Sequence, residues 1–298
     1  MGGGPVGVEF ATICHALGAK VAIADLGSRL IPAMDGELSC WMGGLFRNWG
    51  ITIYFGSTAE SIEARNDGLE VKLSTGKTVH PDTVLFAAGR VASTEGLGLE
   101  GAGVETDSRG RITVDGNFRT TADGIYAAGD VLGPTLASIA MEQGRAAVCH
   151  AFGIPFEGTV DPAPASAVYG MPEASGAGMT EEQCREQGLD YEVGRADLGL
   201  TPRGVIAGRG GLLKLIFQRE KRTLLGVHCI CDIASEIVGI GQMVIRCGGT
   251  LHTIANMSMN TPTYAYAYKY AAFDGLRRIA AGVKESLDES AKRLSPNL

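Results

Sequence analysis

The chain begins with Met1-Gly2-Gly3-Gly4-Pro5-Val6-Gly7, and these residues are its clearest indication of a fold. Its glycines at Gly2, Gly4 and Gly7 form the G-x-G-x-x-G pattern of a dinucleotide-binding turn. In that pattern the first glycine makes a tight turn and the second lets the backbone approach a pyrophosphate. The third lets a helix pack closely on a strand. The stretch therefore predicts a Rossmann-type nucleotide site, with a glycine-rich turn before an ordinary helix as the plain alternative.

The helix that belongs after this turn is present, whereas the strand that belongs before it is not. Residues 6–16 are apolar with helical periodicity, and Pro5 suits the first turn of a helix. Almost no chain precedes Gly2, so the buried first strand is missing. We therefore expect Met1 to be an internal methionine and the chain to be the C-terminal portion of a longer protein.

A carboxylate stands where a nucleotide site of this type needs one. Residues 20–25 are a short apolar run that ends in Asp25, 21 residues after Gly4. Asp25 can accept hydrogen bonds from both hydroxyls of an adenosine ribose, each worth about 1.5–3 kcal/mol, and it would repel a 2′-phosphate. This favours NAD over NADP. Arg29 could pair with a 2′-phosphate, and it could equally be a surface arginine without a ligand.

Composition excludes several classes of protein. The 298 residues carry a net charge of −7, which argues against a nucleic-acid-binding surface. No apolar run approaches the length of a membrane span, and the N-terminus does not have the pattern of a signal peptide. The seven cysteines are scattered without zinc spacing, as expected of reduced thiols. We expect a cytoplasmic protein that binds neither nucleic acid nor a membrane.

Further along the chain, the pattern changes twice. Period-two alternation around Asn66-Asp67-Gly68 predicts a hairpin. The apolar run at residues 83–89 predicts a buried strand. Prolines mark a linker at 153–164. An α+β pattern follows it, with strands predicted at 191–197, 204–218 and 223–230.

Three segments resemble the two-dinucleotide-binding flavoproteins, the class I pyridine nucleotide-disulfide oxidoreductases: residues 2–11, 87–90 and 125–130. The resemblance extends to about residue 280 and implies an α/β fold in successive domains. These are a Rossmann-type NAD(P)-binding domain without its first strand at 1–88, a C-terminal remnant of an FAD domain at 89–155, an α+β dimerisation domain at 156–282, and a polar tail at 283–298.

The resemblance also implies cofactors and partners. It implies FAD as the resident cofactor, NAD(H) and NADP(H) as the nucleotide substrates, and a homodimer formed through the C-terminal domain. The tyrosines at 264, 266, 268 and 270 have period two, and they indicate packing of a dimer interface, where tyrosine is enriched, rather than a cofactor site.

Site residues follow from the same resemblance. Glu9 matches a glutamate near the nicotinamide, and Asp130 matches an aspartate that hydrogen-bonds the flavin ribityl chain. A helix entered through Leu136 and Ala137 would point its positive N-terminus at the flavin pyrimidine. The remaining cofactor positions in these motifs are Pro5, Val6, Gly89, Arg90 and Gly129. A salt-bridged helix residue at Glu9 and an Asx turn at Asp130 are the alternatives.

One departure from the family bears on the reaction. Disulfide reductases of this family end in His-Pro-Thr-x-x-Glu, whereas this chain has Thr261-Pro262-Thr263-Tyr264-Ala265-Tyr266. Threonine has no usable pKa near neutrality and cannot replace the histidine as acid–base group.

Four later segments, at 189–196, 225–229, 234–242 and 268–272, are most similar to the soluble pyridine nucleotide transhydrogenase branch of the family. We therefore expect an FAD-dependent enzyme that moves hydride between NADH and NADP through the flavin, with this fragment inactive and poor at binding FAD alone. The alternatives are a disulfide reductase like dihydrolipoamide dehydrogenase and a non-catalytic NAD-binding and dimerisation fragment.

Overall fold

The computed structural model describes residues 1–156, 160–161 and 163–294, with side chains up to residue 281. The helices are α1 (Pro5–Ala16), α2 (Gly36–Asn48), α3 (Ala137–Ala151), α4 (Glu181–Glu186), α5 (Pro202–Ala207), α6 (Ala234–Arg246), α7 (Leu251–Asn256) and α8 (Ala267–Leu294). The strands are β1 (Ala22–Asp25), β2 (Thr52–Phe55), β3 (Ala59–Arg65), β4 (Gly68–Leu73), β5 (Thr78–Val79), β6 (Ser166–Val168), β7 (Glu173–Gly178), β8 (Tyr191–Asp197), β9 (Leu212–Gln218) and β10 (Leu224–Cys231).

The chain forms two compact units. One contains residues 1–88 together with 165–298, and the other contains residues 89–164. The predicted NAD(P)-binding and dimerisation regions therefore share a unit, while the domain boundaries themselves stay predictions. Four residues of the predicted linker and the last four of the predicted tail lie outside the described residues.

A βαβ arrangement organises the first 55 residues. β1 and β2 pair in parallel, with Asp25 opposite Phe55, and α2 connects them as expected for this crossover. Apolar side chains of α1 and α2 fill the core beside β1, among them Val8, Leu38 and Phe46. The predicted Rossmann-type fold is confirmed here, and the hairpin predicted around residues 66–68 is confirmed as the antiparallel β3–β4 pair.

The buried strand predicted at residues 83–89 is wrong. The segment is assigned to no strand, and Leu85 and Phe86 are 44% and 66% exposed. Among the residues that the structure describes, the backbone of this segment bonds to Met1 alone: Leu85 O accepts from the Met1 ammonium and Ala87 N donates to Met1 O, each at 2.8 Å. Two such bonds do not form a ladder, although the apolar sequence suits a buried strand.

The C-terminal region is a five-stranded antiparallel sheet in the order β6-β7-β10-β9-β8, packed against α6, α7 and α8. Strands at 191–197 and 223–230 are confirmed within one residue. The strand predicted at 204–218 is wrong in its first half, where α5 begins at Pro202. Thr201 caps that helix and Gly208 ends it in the left-handed region.

The tyrosine pattern also resolves differently from the prediction. Tyr268 is fully buried in its own domain, where its hydroxyl donates to Ile237 O and accepts from Gly241 N. Tyr264 is 8% exposed. Dimer-interface packing is therefore wrong for these two tyrosines, because their own core already covers them.

Residues 89–164 contain α3, short 3-10 turns and isolated antiparallel bridges such as Arg119 with Tyr126. Among the residues that the structure describes, no helix is both long and apolar enough to cross a membrane.

Candidate functional site: a dinucleotide cradle and its surroundings

The fingerprint turn lies where the sequence predicts it, at the carboxyl end of β1. Gly2 N donates to Ala24 O at 2.8 Å, while Met1 bonds to residues 85 and 87 on its other side. Met1 to Gly3 thus occupies the position between β1 and the 85–87 segment. Ligands of open α/β sheets bind at this carboxyl edge.

The three fingerprint glycines have three different reasons to be glycine. Gly2 has φ +108°, and a Cβ there would lie 2.3 Å from Ala87 O. A Cβ on Gly7 would lie 1.9 Å from Gly2 O, so this glycine lets α1 approach the turn. A Cβ on Gly4 would meet nothing within 4 Å. The space beside Gly4 is therefore open to a ligand.

The N-terminus of α1 is suited to an anion. Its N-cap is Gly4, which supplies no side-chain hydrogen bond, and Pro5 occupies the first turn. The first intrahelical bond runs from Val8 N to Gly4 O, so the amides of Val6 and Gly7 have no acceptor within the helix. Such amides and the helix dipole attract a phosphate.

Asp25 faces this turn from the end of β1. Its Oδ2 accepts from Gly3 N and its Oδ1 from Gly27 N, both at 2.6 Å. The side chain is half-buried, and each carboxylate oxygen keeps a lone pair for a second donor. The structure thus brings Asp25 together with the fingerprint, as the spacing predicts, and the two backbone bonds fix its orientation.

Arg29 lies on the same loop, but its guanidinium is already paired. Nη1 lies 2.8 Å from Glu182 Oε1, and Nη2 donates to the carbonyls of Pro32 and Met34. The sequence predicts either a partner of the 2′-phosphate or an unliganded surface arginine, and neither prediction includes this ion pair. Pairing of Arg29 with a 2′-phosphate stays a prediction.

Glu9 connects α1 to the C-terminal region. Its Oε1 accepts a hydrogen bond from Tyr169 N at 2.9 Å, directly after β6. The contact fixes one carboxylate oxygen and leaves the tyrosine ring 65% exposed. A role of Glu9 at the nicotinamide stays a prediction.

The predicted flavin residues lie in the other unit. Asp130 Oδ2 pairs with Arg90 Nη1 at 2.5 Å, and Asp130 Oδ1 accepts from Thr135 N at 2.9 Å. Gly129 adopts φ +83° and donates to Gln143 Oε1. α3 begins at Ala137 after Leu136, and no side chain caps it. Gly89 also has a positive φ, at +117°.

The sequence analysis did not predict a cluster of buried and half-buried charged side chains at the N-terminus of α2. Lys214 on β9 is 1% exposed and pairs with Asp35 at 2.8 Å, with Glu37 at 3.1 Å and with Glu181. Asp35 also caps α2 through Glu37 N and accepts from Glu181 N. The three carboxylates are close enough to bind a metal ion, but the Lys214 ammonium supplies the positive charge there.

Hydrogen bonds and charges hold this cluster ionised. Burial alone would lower the pKa of Lys214, and hydrogen bonds to Asp35 and Glu181 raise it above its usual value. Burial likewise opposes the lowered pKa of Asp35, Glu37 and Glu181, which their cationic and amide partners maintain. No local pattern predicts this cluster, because Asp35 and Lys214 are 179 residues apart.

Thr261 is exposed at a Thr-Pro bond before α8. His228, the buried histidine, uses Nε2 to contact Met179 O and lies in the dimerisation sheet. Burial lowers its pKa. It therefore has no evident role as a substitute for the missing acid–base group.

Comparison with known proteins places these features in a family. Residues 1–144 match the family model described as pyridine nucleotide-disulphide oxidoreductase, and residues 164–272 match the dimerisation domain of the same family. The soluble pyridine nucleotide transhydrogenase of Marinomonas sp. (strain MWYL1) is 38% identical over 93% of this chain and 61% of its own length. The protein of that name from Mycobacterium bovis is 39% identical over 94% and 60%.

Solved structures agree with these matches. LpdA from Mycobacterium tuberculosis superposes with a TM-score of 0.84 at 27% identity, over 91% of this chain and 60% of that one. The flavoprotein disulfide reductase RclA from Escherichia coli gives 0.85 at 29%, over 92% and 63%. The chain spans about three fifths of the length of the curated relatives it matches. The chain belongs to the pyridine nucleotide-disulphide oxidoreductase family.

Proposed function

We propose that this chain is part of an FAD-dependent soluble NAD(P) transhydrogenase, which moves hydride between NADH and NADP. The observation that carries the proposal is the cradle of Gly2, Gly4 and Gly7 with Asp25 fixed beside it. Thr261, at the position of the acid–base histidine of disulfide reductases, favours nucleotide over thiol chemistry.

The nucleotide half of the reaction uses residues of this chain. The open backbone at Gly4 admits the pyrophosphate, and the free amides at the start of α1 bind it. Asp25 accepts from the adenosine ribose, and Glu9 lies near the nicotinamide. Each of these contacts positions the dinucleotide and none transfers a proton, as expected of an enzyme in which the cofactor does the chemistry.

The residues in the second unit fit FAD. When bound, FAD supplies the ring that accepts a hydride from one reduced nicotinamide and gives it to another oxidised one. Asp130, oriented by Arg90 and Thr135, would hold the ribityl chain. The uncapped start of α3 at Leu136 and Ala137 would stabilise negative charge on the ring.

The proposed enzyme is a cytoplasmic homodimer formed through its C-terminal domain, with NAD(H) and NADP(H) as its substrates. Support comes from the dimerisation-domain match and from relatives named as soluble transhydrogenases.

A disulfide reductase is the second candidate, because the structural neighbour RclA carries that description. A non-catalytic NAD-binding and dimerisation module is the third, since a chain of this span contains both of the corresponding regions.

A steady-state assay of the full-length, FAD-loaded protein of which this chain is part separates the three. NADPH with thio-NAD⁺ is expected to give turnover, whereas dihydrolipoamide with NAD⁺ and NADPH with glutathione disulfide are expected to give none. Turnover restricted to the thiol or disulfide reactions would establish the reductase. Nucleotide binding without turnover of any pair would establish the binding module.

A further inference from the structure

Glu182, in the dimerisation region, binds the loop between β1 and α2 at two points. Glu182 Oε1 accepts from Arg29 Nη1 at 2.8 Å and from Gly36 N at 3.1 Å. The contact is tight, because a Cβ on Gly36 would lie 2.2 Å from Glu182 Oε1 and 2.8 Å from Arg29 Nη1. Glu182 thus holds both the middle and the end of this loop.

This loop is also the wall of the adenosine site. It begins at Asp25, whose Oδ1 accepts from Gly27 N, and Ile31 N donates back to Gly3 O at 2.7 Å. Arg29 lies between these two contacts. In Rossmann-type sites an arginine near the ribose carboxylate binds the 2′-phosphate that distinguishes NADP from NAD. Arg29 has the right charge and the right place in the loop for that role.

The charge of Glu182 acts against such a role. Its second oxygen, Oε2, is buried and has no hydrogen-bond donor among the described residues. Only one of its two oxygens is therefore matched by Arg29 and Gly36. A 2′-phosphate arriving here must therefore compete with Glu182 for the Arg29 guanidinium.

We propose that Glu182 is a specificity-determining residue, which weakens NADP(H) relative to NAD(H) by withholding the Arg29 guanidinium from the 2′-phosphate. The inference rests on the proposed function in one respect, since it assumes that the adenosine half binds beside Asp25. It assigns a residue of the dimerisation region to nucleotide selection.

The test is a direct binding measurement with two probes that differ only in the 2′-phosphate. Calorimetry gives the Kd of adenosine 5′-monophosphate and of adenosine 2′,5′-bisphosphate for the wild type and for Glu182→Gln. The substitution keeps an acceptor for Gly36 N, so the loop retains its anchor, while the charge is lost. The bisphosphate is expected to bind about tenfold tighter, with the monophosphate unchanged. Glu186→Gln, an exposed change on the same helix, is the matched control and changes neither Kd.

A double variant shows whether the gain acts through Arg29. In Glu182→Gln with Arg29→Ala the tighter binding of the bisphosphate is expected to disappear. The proposal is overturned if Glu182→Gln leaves the ratio of the two Kd values unchanged or shifts it toward the monophosphate. It is also overturned if the gain persists without Arg29. Failure of the wild type to bind either probe would instead contradict the proposed nucleotide site itself.

Discussion

Lys214 Nζ lies 2.8 Å from Asp35 Oδ1, and the two side chains are 1% and 0% exposed. The pair joins β9 to the N-cap of α2. Removing the ammonium in Lys214→Met would leave the buried Asp35 carboxylate without its cation. A loss of this kind costs about 3–5 kcal/mol of unfolding free energy. Urea denaturation of Lys214→Met should show that loss, with Lys72→Met, at an exposed lysine of β4, as the control. Equal stability of the two variants would show that Lys214 does not stabilise the folded protein.

The free energy of unfolding is also expected to decrease in two stages as the pH is lowered. Burial lowers the pKa of His228 below its usual 6.5, so the unfolded chain binds a proton first as the pH falls below that value. This costs at most about 1.4 kcal/mol per pH unit. The lowered pKa values of Glu37 and Glu181 add a second loss below about pH 4.5. Unfolding free energies between pH 7.5 and pH 4 measure both stages.

His228→Gln separates the two stages, because it removes the group that titrates first. The variant should show a flatter profile between pH 7 and pH 5 and keep the decline below pH 4.5. A wild-type profile that is level down to pH 5 would show that His228 is not held neutral in the folded protein.

Two alanine substitutions in the fingerprint are expected to affect different properties, one the affinity for NADH and the other the stability of the fold. Gly4→Ala adds a Cβ to open space, so stability should change by less than about 0.5 kcal/mol while NADH affinity falls at least about tenfold. Gly7→Ala puts a Cβ 1.9 Å from Gly2 O and should cost about 1–3 kcal/mol in unfolding free energy. Thermal denaturation and NADH fluorescence titration measure the pair. Normal NADH binding by Gly4→Ala would show that no pyrophosphate lies there.

Asp25→Asn tests the ribose contact. Its carboxylate is expected to contribute about 1.5–3 kcal/mol to NADH binding, or roughly 10- to 100-fold in Kd. Asp67→Asn, in the exposed turn of the β3–β4 hairpin, removes the same charge and serves as the control. If both variants bind NADH like the wild type, the ribose does not lie at Asp25.

The cradle could be predicted because its glycines act through the backbone. The positive φ of Gly2 and the close approach at Gly7 follow directly from the motif. The β3–β4 hairpin was equally predictable, since Asn66-Asp67-Gly68 is a local turn signal. The position of Asp25 beside the fingerprint could be predicted from its spacing, since one helix and one strand separate it from Gly4.

Other features were harder to predict, for two physical reasons. α5 carried local signals in Thr201, Pro202 and Gly208, but apolar residues that suit a strand outweighed them in the prediction. Lys214 is 179 residues from Asp35, and Glu182 is 153 residues from Arg29, so only the folded chain reveals these two pairs. Tyr268 belongs with these, because its burial depends on α6.

Hydride transfer between nucleotides is tested by single-turnover kinetics of the full-length, FAD-loaded protein of which this chain is part. In an anaerobic stopped-flow experiment, one equivalent of NADH is mixed with the enzyme, and thio-NADP⁺ is added after the flavin absorbance has bleached. The flavin absorbance is expected to return as reduced thionicotinamide forms in equal amount, without any thiol or disulfide present. A flavin that stays bleached with thio-NADP⁺ and recovers only when a disulfide is added would contradict it.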